Sequence, residues 1–313
     1  MALKLPEEGI SYSVNKHNSR LDFFCDWLEA SVIFSDEPLY KSDVVDSLTE
    51  NGVYLEQDFA NAFVDDAWAI VERRFRRLEH TLGIETGALS FTATKKWTDY
   101  PAYSFCVFLS CVGYLYPRSF NKDDFPIVYG VQGSIFEKIC HAALTARYPD
   151  WVVKRIGWAA DNAVKLKDCV NEIIAELFER EGAELELWVD AHANEIGLDL
   201  LMYSSFDDNW PCMPVMMIQC ASGKDWISKR RTPDLNIWSK VISFNSPPSK
   251  GFAIPYAFVD DGEFRKNAFV VQGIFFDRYR LLDIKAKNWL PDAVGQEIIG
   301  WMTPYVAAIP RLP

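Results

Sequence analysis

The sequence predicts an α/β protein, with a mostly helical N-terminal region (residues 1–125) before a domain of mixed strands and helices (residues 126–313). Apolar residues recur at helical spacing through the first region. After residue 130, apolar strand-like segments alternate with helical ones. Residues 118–130 form a polar, proline-containing connection between the two regions, which makes them the best candidate for a boundary.

Four helices are predicted in the first region. One covers residues 21–33, a second begins after Ser42 and ends at Gly52, and a third covers residues 56–82 and ends at Gly83. The fourth lies in the uncharged segment 100–117, where Pro101 and Pro117 enclose fifteen residues, or roughly 22 Å of helix. A helix that crosses a bilayer needs about 20 residues, so this shorter helix is predicted to be buried in the protein.

The second region reads as alternating elements. Helices are predicted near residues 132–148, 161–181, 233–243, 277–290 and 292–308. Strands are predicted near residues 151–158, 197–206, 213–221, 252–259 and 268–276. This order of elements is typical of a mixed sheet flanked by helices.

The net charge of −12 argues against tight, stand-alone binding of nucleic acid, which depends on neutralising phosphates. Basic residues nevertheless follow the strand predicted near 213–221, at Lys224, Lys229, Arg230 and Arg231. They are candidates for contacts to nucleic-acid phosphates, and a solvated basic loop is the alternative.

The seven cysteines show no C-x-x-C spacing, and with four scattered histidines they form no zinc signature. The first residues lack the basic-then-apolar order of a secretory signal. Reduced thiols and a cytoplasmic location are therefore expected, with no membrane partner.

Candidate site residues lie on two successive strands. Asp199 stands near the start of one apolar strand in GLDLLMY (residues 197–203), and Gln219 stands near the end of the next in IQCASGK (residues 218–224). Adjacent strands can bring two such side chains within reach of one hard cation, which prefers oxygen ligands. Glu137, on the helix near 132–148, is a third candidate. Taken singly, each is also common as a satisfied polar group in α/β proteins.

This order of elements and residues resembles the core of the PD-(D/E)XK, or restriction-endonuclease-like, nucleases, in the variant with glutamine in place of the second acid. Their core runs helix, three strands, helix, strand, and residues 130–260 supply those pieces in order, with one extra helix. The resemblance implies hydrolysis of phosphodiester bonds with Mg²⁺ or Mn²⁺. It implies that Asp199 is the main metal ligand, that Gln219 offers an amide oxygen, and that Glu137 is a ligand or supports one.

The chain departs from the family pattern at the lysine. A glutamine-x-lysine motif would place lysine at position 221, where this chain has Ala221. Lys224, just past the strand, is expected to supply the missing positive charge, with Lys229 as a weaker substitute. Asp190 and Glu195, in the segment before Asp199, could assist the metal, although a loop is their default interpretation.

The resemblance therefore implies a DNA endonuclease or nuclease subunit of the bacterial anti-phage or restriction type, delivered to DNA by a protein partner. Two alternatives remain open. The chain could be an inactive relative of this fold that binds nucleic acid or a partner, with Ala221 marking the lost activity. It could also be an assembly protein that docks onto a helicase or ATPase. The oligomeric state is open.

Overall fold

The structure is a computed structural model, and it describes residues 3–10, 20–120, 127–156, 166–189 and 197–312. Its first region is mostly helical, as predicted. The helices there are α1 (Leu21–Ile33), α2 (Lys41–Glu50), α3 (Gln57–Arg77) and α4 (Pro101–Ser110). The predicted buried helix is α4, which continues into a π-helical turn at Cys111–Leu115. None of the helices in the described ranges is long and apolar enough to span a membrane.

A small antiparallel sheet packs within this region and was not predicted. Its strands are β1 (Leu39–Tyr40), β2 (Ile84–Thr86) and β3 (Ser90–Ala93), in the order β1-β3-β2. Phe91 of β3 is fully buried and stacks on Trp68 of α3 with 3.9 Å between ring centroids. The sheet therefore closes one side of the helical core.

The second region alternates between helices and strands. In chain order they are α5 (Tyr129–Arg147), β4 (Val152–Arg155), α6 (Leu166–Leu177), β5 (Arg180–Glu181), α7 (Leu185–Val189), β6 (Leu200–Tyr203), β7 (Val215–Cys220), α8 (Leu235–Val241), β8 (Ile242–Ser243), β9 (Ser249–Ala253), α9 (Asp261–Val271), β10 (Ile274–Phe276), α10 (Arg278–Leu282) and α11 (Asp292–Ala307). The predicted α/β class is confirmed at this level.

Five strands form the main sheet, in the order β10-β9-β7-β6-β4. Strands β4, β6 and β7 are antiparallel neighbours, whereas β7, β9 and β10 run parallel. Every residue of β6 and β7 is buried. Such continuous apolar strands are expected where helices cover both faces of a sheet. Leu200 and Ile218 face the core that contains α5, whereas Leu201 and Met217 face α6 and α8.

Two predictions near the C-terminus are wrong. The segment predicted as a strand over 268–276 is helix α9 up to Val271, followed by the short strand β10. The carboxylate of Asp260 caps α9 by accepting from the backbone N–H of Glu263, which stabilises a helix start in this segment. The helix predicted over 277–290 is confined to α10.

The largest apolar core contains residues from both sides of the predicted boundary near residue 125. Phe105 of α4 packs on Trp301 of α11, with ring centroids 5.5 Å apart. Tyr114 lies against Tyr256, which follows β9, at 4.9 Å. The helical region therefore shares its core with the region that holds the main sheet.

A buried network of charges also crosses between the two regions. Arg278 of α10 is fully buried and donates to Asp26 at 3.1 Å and to Glu29 at 2.9 Å, both on α1. Arg74 of α3 donates to Glu29 at 2.5 Å. Two arginines thus neutralise two carboxylates in the interior. Arg74 belongs to a cluster on α3 formed by Arg73, Arg74, Arg76 and Arg77. Because Arg74 is buried, its role is structural.

Candidate metal-binding site

Three elements meet at one end of the main sheet, where β6 begins and β7 ends. Asp199 immediately precedes β6, and its backbone N–H donates to Ile218 of β7 at 2.9 Å. Gln219 lies on β7 itself. Helix α5 is tied to the same end, because buried Gln132 donates to the carbonyl of Ser222 at 3.0 Å. This arrangement places Asp199, Gln219 and the α5 residue Glu137 in one neighbourhood, as predicted from the sequence.

The Asp199 carboxylate is held by one of its two oxygens. Oδ2 accepts from the Cys220 backbone N–H at 2.6 Å and from Nε2 of Gln219. Both bonds come from β7, so the strand pairing fixes where the carboxylate points. Oδ1 accepts no hydrogen bond from the described residues, and this oxygen is the one that a cation would bind.

Glu137 approaches Asp199 from α5 and is paired with Arg155. Arg155, the last residue of β4, lies 3.4 Å from the Glu137 carboxylate and 3.5 Å from the hydroxyl of Ser134. Both side chains are largely buried, with 24% and 13% exposure. Arg155 therefore orients Glu137 and adds a fixed positive charge to the site.

Burial, and after it the negative charge of Glu137, raise the pKa of Asp199 to about 7. The Cys220 hydrogen bond and the charges of Lys229 and Arg155 act in the opposite direction. Two carboxylates that repel each other in a low-dielectric site favour a bound proton or a bound cation.

Close backbone packing sets the position of Gln219. Gly197 has a φ of +51°, and a Cβ atom there would lie 2.7 Å from Oε1 of Gln219 and 2.7 Å from Cβ of Thr232. Only glycine accommodates both the left-handed conformation and this approach. The amide is therefore clamped between Gly197 and Asp199.

The basic residues after β7 separate into two places. Lys229 ends a 3₁₀ turn (Trp226–Lys229) that is anchored by the buried ring of Trp226, and its charge acts on Asp199. Lys224 instead lines a separate cavity of about 170 Å³ with Asp26 and Glu263, and its carbonyl accepts from the hydroxyl of Tyr114 at 3.0 Å. The lysine next to the acidic site is Lys229.

The other two basic candidates also differ. Arg230 is held by Asn267, to which it donates at 2.8 Å, and its own carbonyl accepts from Lys250 at 3.0 Å. Arg231 is exposed. Lys250 is buried on β9, and this burial lowers its pKa to about 8. Its hydrogen bond to the Arg230 carbonyl holds the backbone of the segment that follows the 3₁₀ turn.

Ala221 stands at the position where the nucleases that the sequence resembles carry lysine. It is 1% exposed, and its backbone N–H donates to Ala253 at 2.9 Å. Sequence reasoning did not single out Arg155 or Lys250. A charged residue within the strand predicted near 151–158 was the available signal for Arg155, whereas Lys250 lies before the strand predicted near 252–259 and gave no such signal. Asp190 and Glu195 lie outside the described residues.

Among the residues that the structure describes, two carboxylates meet at this site, those of Asp199 and Glu137. Within the described ranges, no group of three or more histidine, cysteine, aspartate or glutamate side chains is arranged to hold a metal ion. Gln219 was predicted to offer its amide oxygen to the metal, but it presents Nε2 to Asp199 and its oxygen to Gly197. The two carboxylates fit a hard cation that takes its remaining ligands from water and substrate oxygens.

Comparisons with known proteins identify no family. No protein-family model matches the chain, and no curated protein matches it. One solved structure that aligns with it is the crystal structure of protein VC1899 from Vibrio cholerae, at 8% identity and a TM-score of 0.17, covering 98% of this chain and 94% of that one. A TM-score this low carries no argument about fold or function.

The raised pKa of Asp199 predicts a pH-dependent stability that Asp199→Asn removes. Because the folded state holds this proton more tightly than the unfolded state, wild-type stability falls as pH rises from the unfolded-state pKa of 3.8 through the folded-state pKa of about 7. Asp199→Asn carries no charge, so its Tm should exceed that of the wild type by about 2–5 °C at pH 8 and by less at pH 5.5.

Thermal melts from pH 5 to 8.5 measure this difference. Glu137→Gln is the matched variant, since removing the neighbouring charge should move the midpoint to lower pH. A constant Tm difference between Asp199→Asn and wild type across this range would contradict the assignment.

Proposed function

We propose that this protein is a divalent-metal-dependent nuclease that hydrolyses phosphodiester bonds in DNA, with its active site at the β6 and β7 end of the main sheet. The observation that carries the proposal is the pairing of Asp199 with Glu137, in which burial and mutual repulsion raise the pKa of Asp199. A strongly perturbed carboxylate beside a second acid and fixed cations is typical of catalytic sites.

The order of elements supports the same proposal. Helix α5, the antiparallel strands β4, β6 and β7, helix α8 and the parallel strand β9 follow the helix, three strands, helix, strand order of the nucleases that the sequence resembles. Helices α6 and α7 and the short strand β5 are additional between β4 and β6, and the short strand β8 is additional between α8 and β9. The sheet end that holds Asp199 and Gln219 corresponds to the catalytic end of that family.

The chain's own residues have separate roles in this mechanism. Asp199 through Oδ1 and Glu137 would hold Mg²⁺ or Mn²⁺, and the Gln219 amide would orient the Asp199 carboxylate through its Nε2 hydrogen bond. When bound, the metal supplies charge stabilisation at the scissile phosphate. Arg155 holds Glu137 in place. The ammonium of Lys229 stabilises the negative charge that develops on the phosphate oxygens.

The net charge of −12 limits how this site meets DNA. Lys229 and Arg231 are exposed beside it and can contact phosphates, whereas Arg230 is engaged by Asn267. Binding through so few cations should be weak and should fade with salt. We therefore propose that a partner protein, in a defence complex, brings the chain to DNA.

A second function is favoured by Ala221 and by the two-acid donor set. Without the motif lysine or a third acid, the site could bind a phosphate backbone or a partner without cutting it. This alternative retains the positive residues at the surface and needs no metal. It predicts DNA binding that is independent of Mg²⁺ and no cleavage with any substrate.

Cleavage by the purified full chain tests the proposal. Supercoiled plasmid, linear duplex and single-stranded DNA are incubated with Mg²⁺ or Mn²⁺, and parallel reactions contain a chelator. Metal-dependent cutting of at least one substrate is expected. DNA binding without cutting under all these conditions would favour the binding function instead.

Lys229 and Lys224 provide a matched pair of variants. Lys229→Ala should lower the cleavage rate about 100-fold, because its charge lies next to the acidic site, while metal binding persists. Lys224→Ala should change the rate less, because Lys224 faces another cavity. Single-turnover rates measure both effects. If Lys224→Ala loses cleavage and Lys229→Ala does not, then Lys224 supplies the positive charge, as expected from the sequence, and the role of Lys229 is contradicted.

A further inference from the structure

A cavity of about 510 Å³ lies away from the acidic site, between the first and last parts of the chain. The segment after α3, the start of α4, the segment 282–291 and the start of α11 enclose it. Its volume lies within the range of small-molecule sites in proteins. Nothing in the proposed nuclease mechanism uses this cavity.

The walls of the cavity combine apolar and aromatic surfaces. Leu82 and Ile284 are buried in the core beneath it, and Tyr103 lies at its side. Trp289 is partly buried and also lines the cavity. A partly exposed indole ring in such a wall offers a face on which a planar ring can stack.

Tyr100 provides an unsatisfied polar group in this wall. The residue is 3% exposed and lines the cavity, and its hydroxyl has no hydrogen-bond partner among the described residues. A buried hydroxyl without a partner carries a free-energy cost that a bound ligand would remove.

Two helices begin at the same cavity. Helix α4 starts at Pro101 and α11 starts at Asp292, and neither receives a side-chain cap. The backbone N–H groups of the first turn of a helix attract anions. Asp292 already offsets this effect at α11, so the open anion position is the N-terminus of α4.

Charged side chains complete the lining. Lys285 and Lys287 are exposed, and the ammonium of Lys285 lies 3.1 Å from the Asp283 carboxylate and 3.2 Å from Nδ1 of His80. Asp99 and Asp292 line the cavity as well. The cations suit a phosphate, while the carboxylates can accept hydrogen bonds from hydroxyl groups.

From this lining, we propose that the cavity binds a nucleotide, that is, a planar heteroaromatic ring joined through a hydroxylated sugar to a phosphate. The ring stacks on Trp289, and the phosphate lies between Lys285 and the N-terminus of α4. The Tyr100 hydroxyl hydrogen-bonds to the ligand. The proposal is separate from the nuclease site and does not depend on it.

Calorimetric titration of the full chain tests this proposal, with adenosine 5′-monophosphate, adenosine and inorganic phosphate as separate probes. The protein carries Asp199→Ala, so that the nuclease site does not contribute. The monophosphate should bind more tightly than either fragment, because only it reaches both ends of the cavity. Lys285→Ala and Tyr100→Phe should each weaken binding about 10-fold.

Two further variants act as controls. Gly295→Leu places a side chain between the starts of α4 and α11, where a Cβ atom meets Pro101 at an ordinary 3.6 Å, and should abolish binding by filling the cavity. Lys266→Ala removes an exposed lysine elsewhere, on α9, and should have no effect. Absence of binding at about 1 mM monophosphate, or equal affinity in wild type and Gly295→Leu, would overturn the proposal.

Discussion

Asp199→Ala is expected to reduce metal-dependent cleavage by at least about 10³-fold, since losing the main metal ligand removes several kcal/mol of charge stabilisation in the transition state. The fold should survive, because Asp199 precedes β6 and its side chain bonds, among the described residues, to Gln219 and Cys220 of β7. Relief of the repulsion from Glu137 should even stabilise the protein.

Cleavage rates and circular dichroism, measured on the same preparations, check both parts of this expectation. Asp225→Ala is the control, because Asp225 is an exposed acid a few residues beyond β7. Cutting at the wild-type rate by Asp199→Ala, in a preparation free of contaminating nuclease, would show that the catalytic site lies elsewhere.

The largest effect on stability is expected at Arg278. Arg278→Met leaves Asp26 and Glu29 with Arg74 as the remaining arginine partner, and it also removes the bonds to Ser110 and to the carbonyl of Pro255. Breaking a buried pair in this way typically costs about 3–5 kcal/mol. The variant should unfold at markedly lower denaturant concentration.

Denaturant titrations followed by tryptophan fluorescence measure the loss. Arg265→Met is the matched control, because the Arg265–Asp261 pair is exposed and on the surface of α9, where ion pairs add little stability. Its midpoint should not move. Equal midpoints for Arg278→Met and wild type would mean that the buried network contributes nothing net to stability.

The sequence predicted the class of fold because its apolar patterns are long and regular. Strand β6 coincides with an uninterrupted apolar run and β7 with one that only Gln219 interrupts, while α1 coincides with a helical spacing that extends over 13 residues. The strands of two to four residues in the first region are too short to give a pattern. The run 268–276 misled because Gln272, with a φ of +54°, and Gly273 divide it between a helix and a strand.

The site was predicted in part for a similar reason. Strand pairing brings Asp199 and Gln219 together, and alternation along a strand is a local rule that can be read from sequence. Alternation makes no prediction for residues beyond the end of β7, such as Lys224 and Lys229. The position of Lys229 depends on the turn anchored by Trp226 against Phe252 and Phe275, which are distant in the sequence.

The common core has a practical consequence for dissecting the protein. A fragment restricted to residues 126–313 would lose the aromatic partners that cover Tyr256 and Trp301, and Arg278 would remain without its two carboxylates. Such a fragment would expose a broad apolar surface and would aggregate on expression. Gene truncations that aim to isolate the region with the main sheet should therefore fail because the fragment does not fold, and point substitutions are the sound route to assigning the roles of its residues.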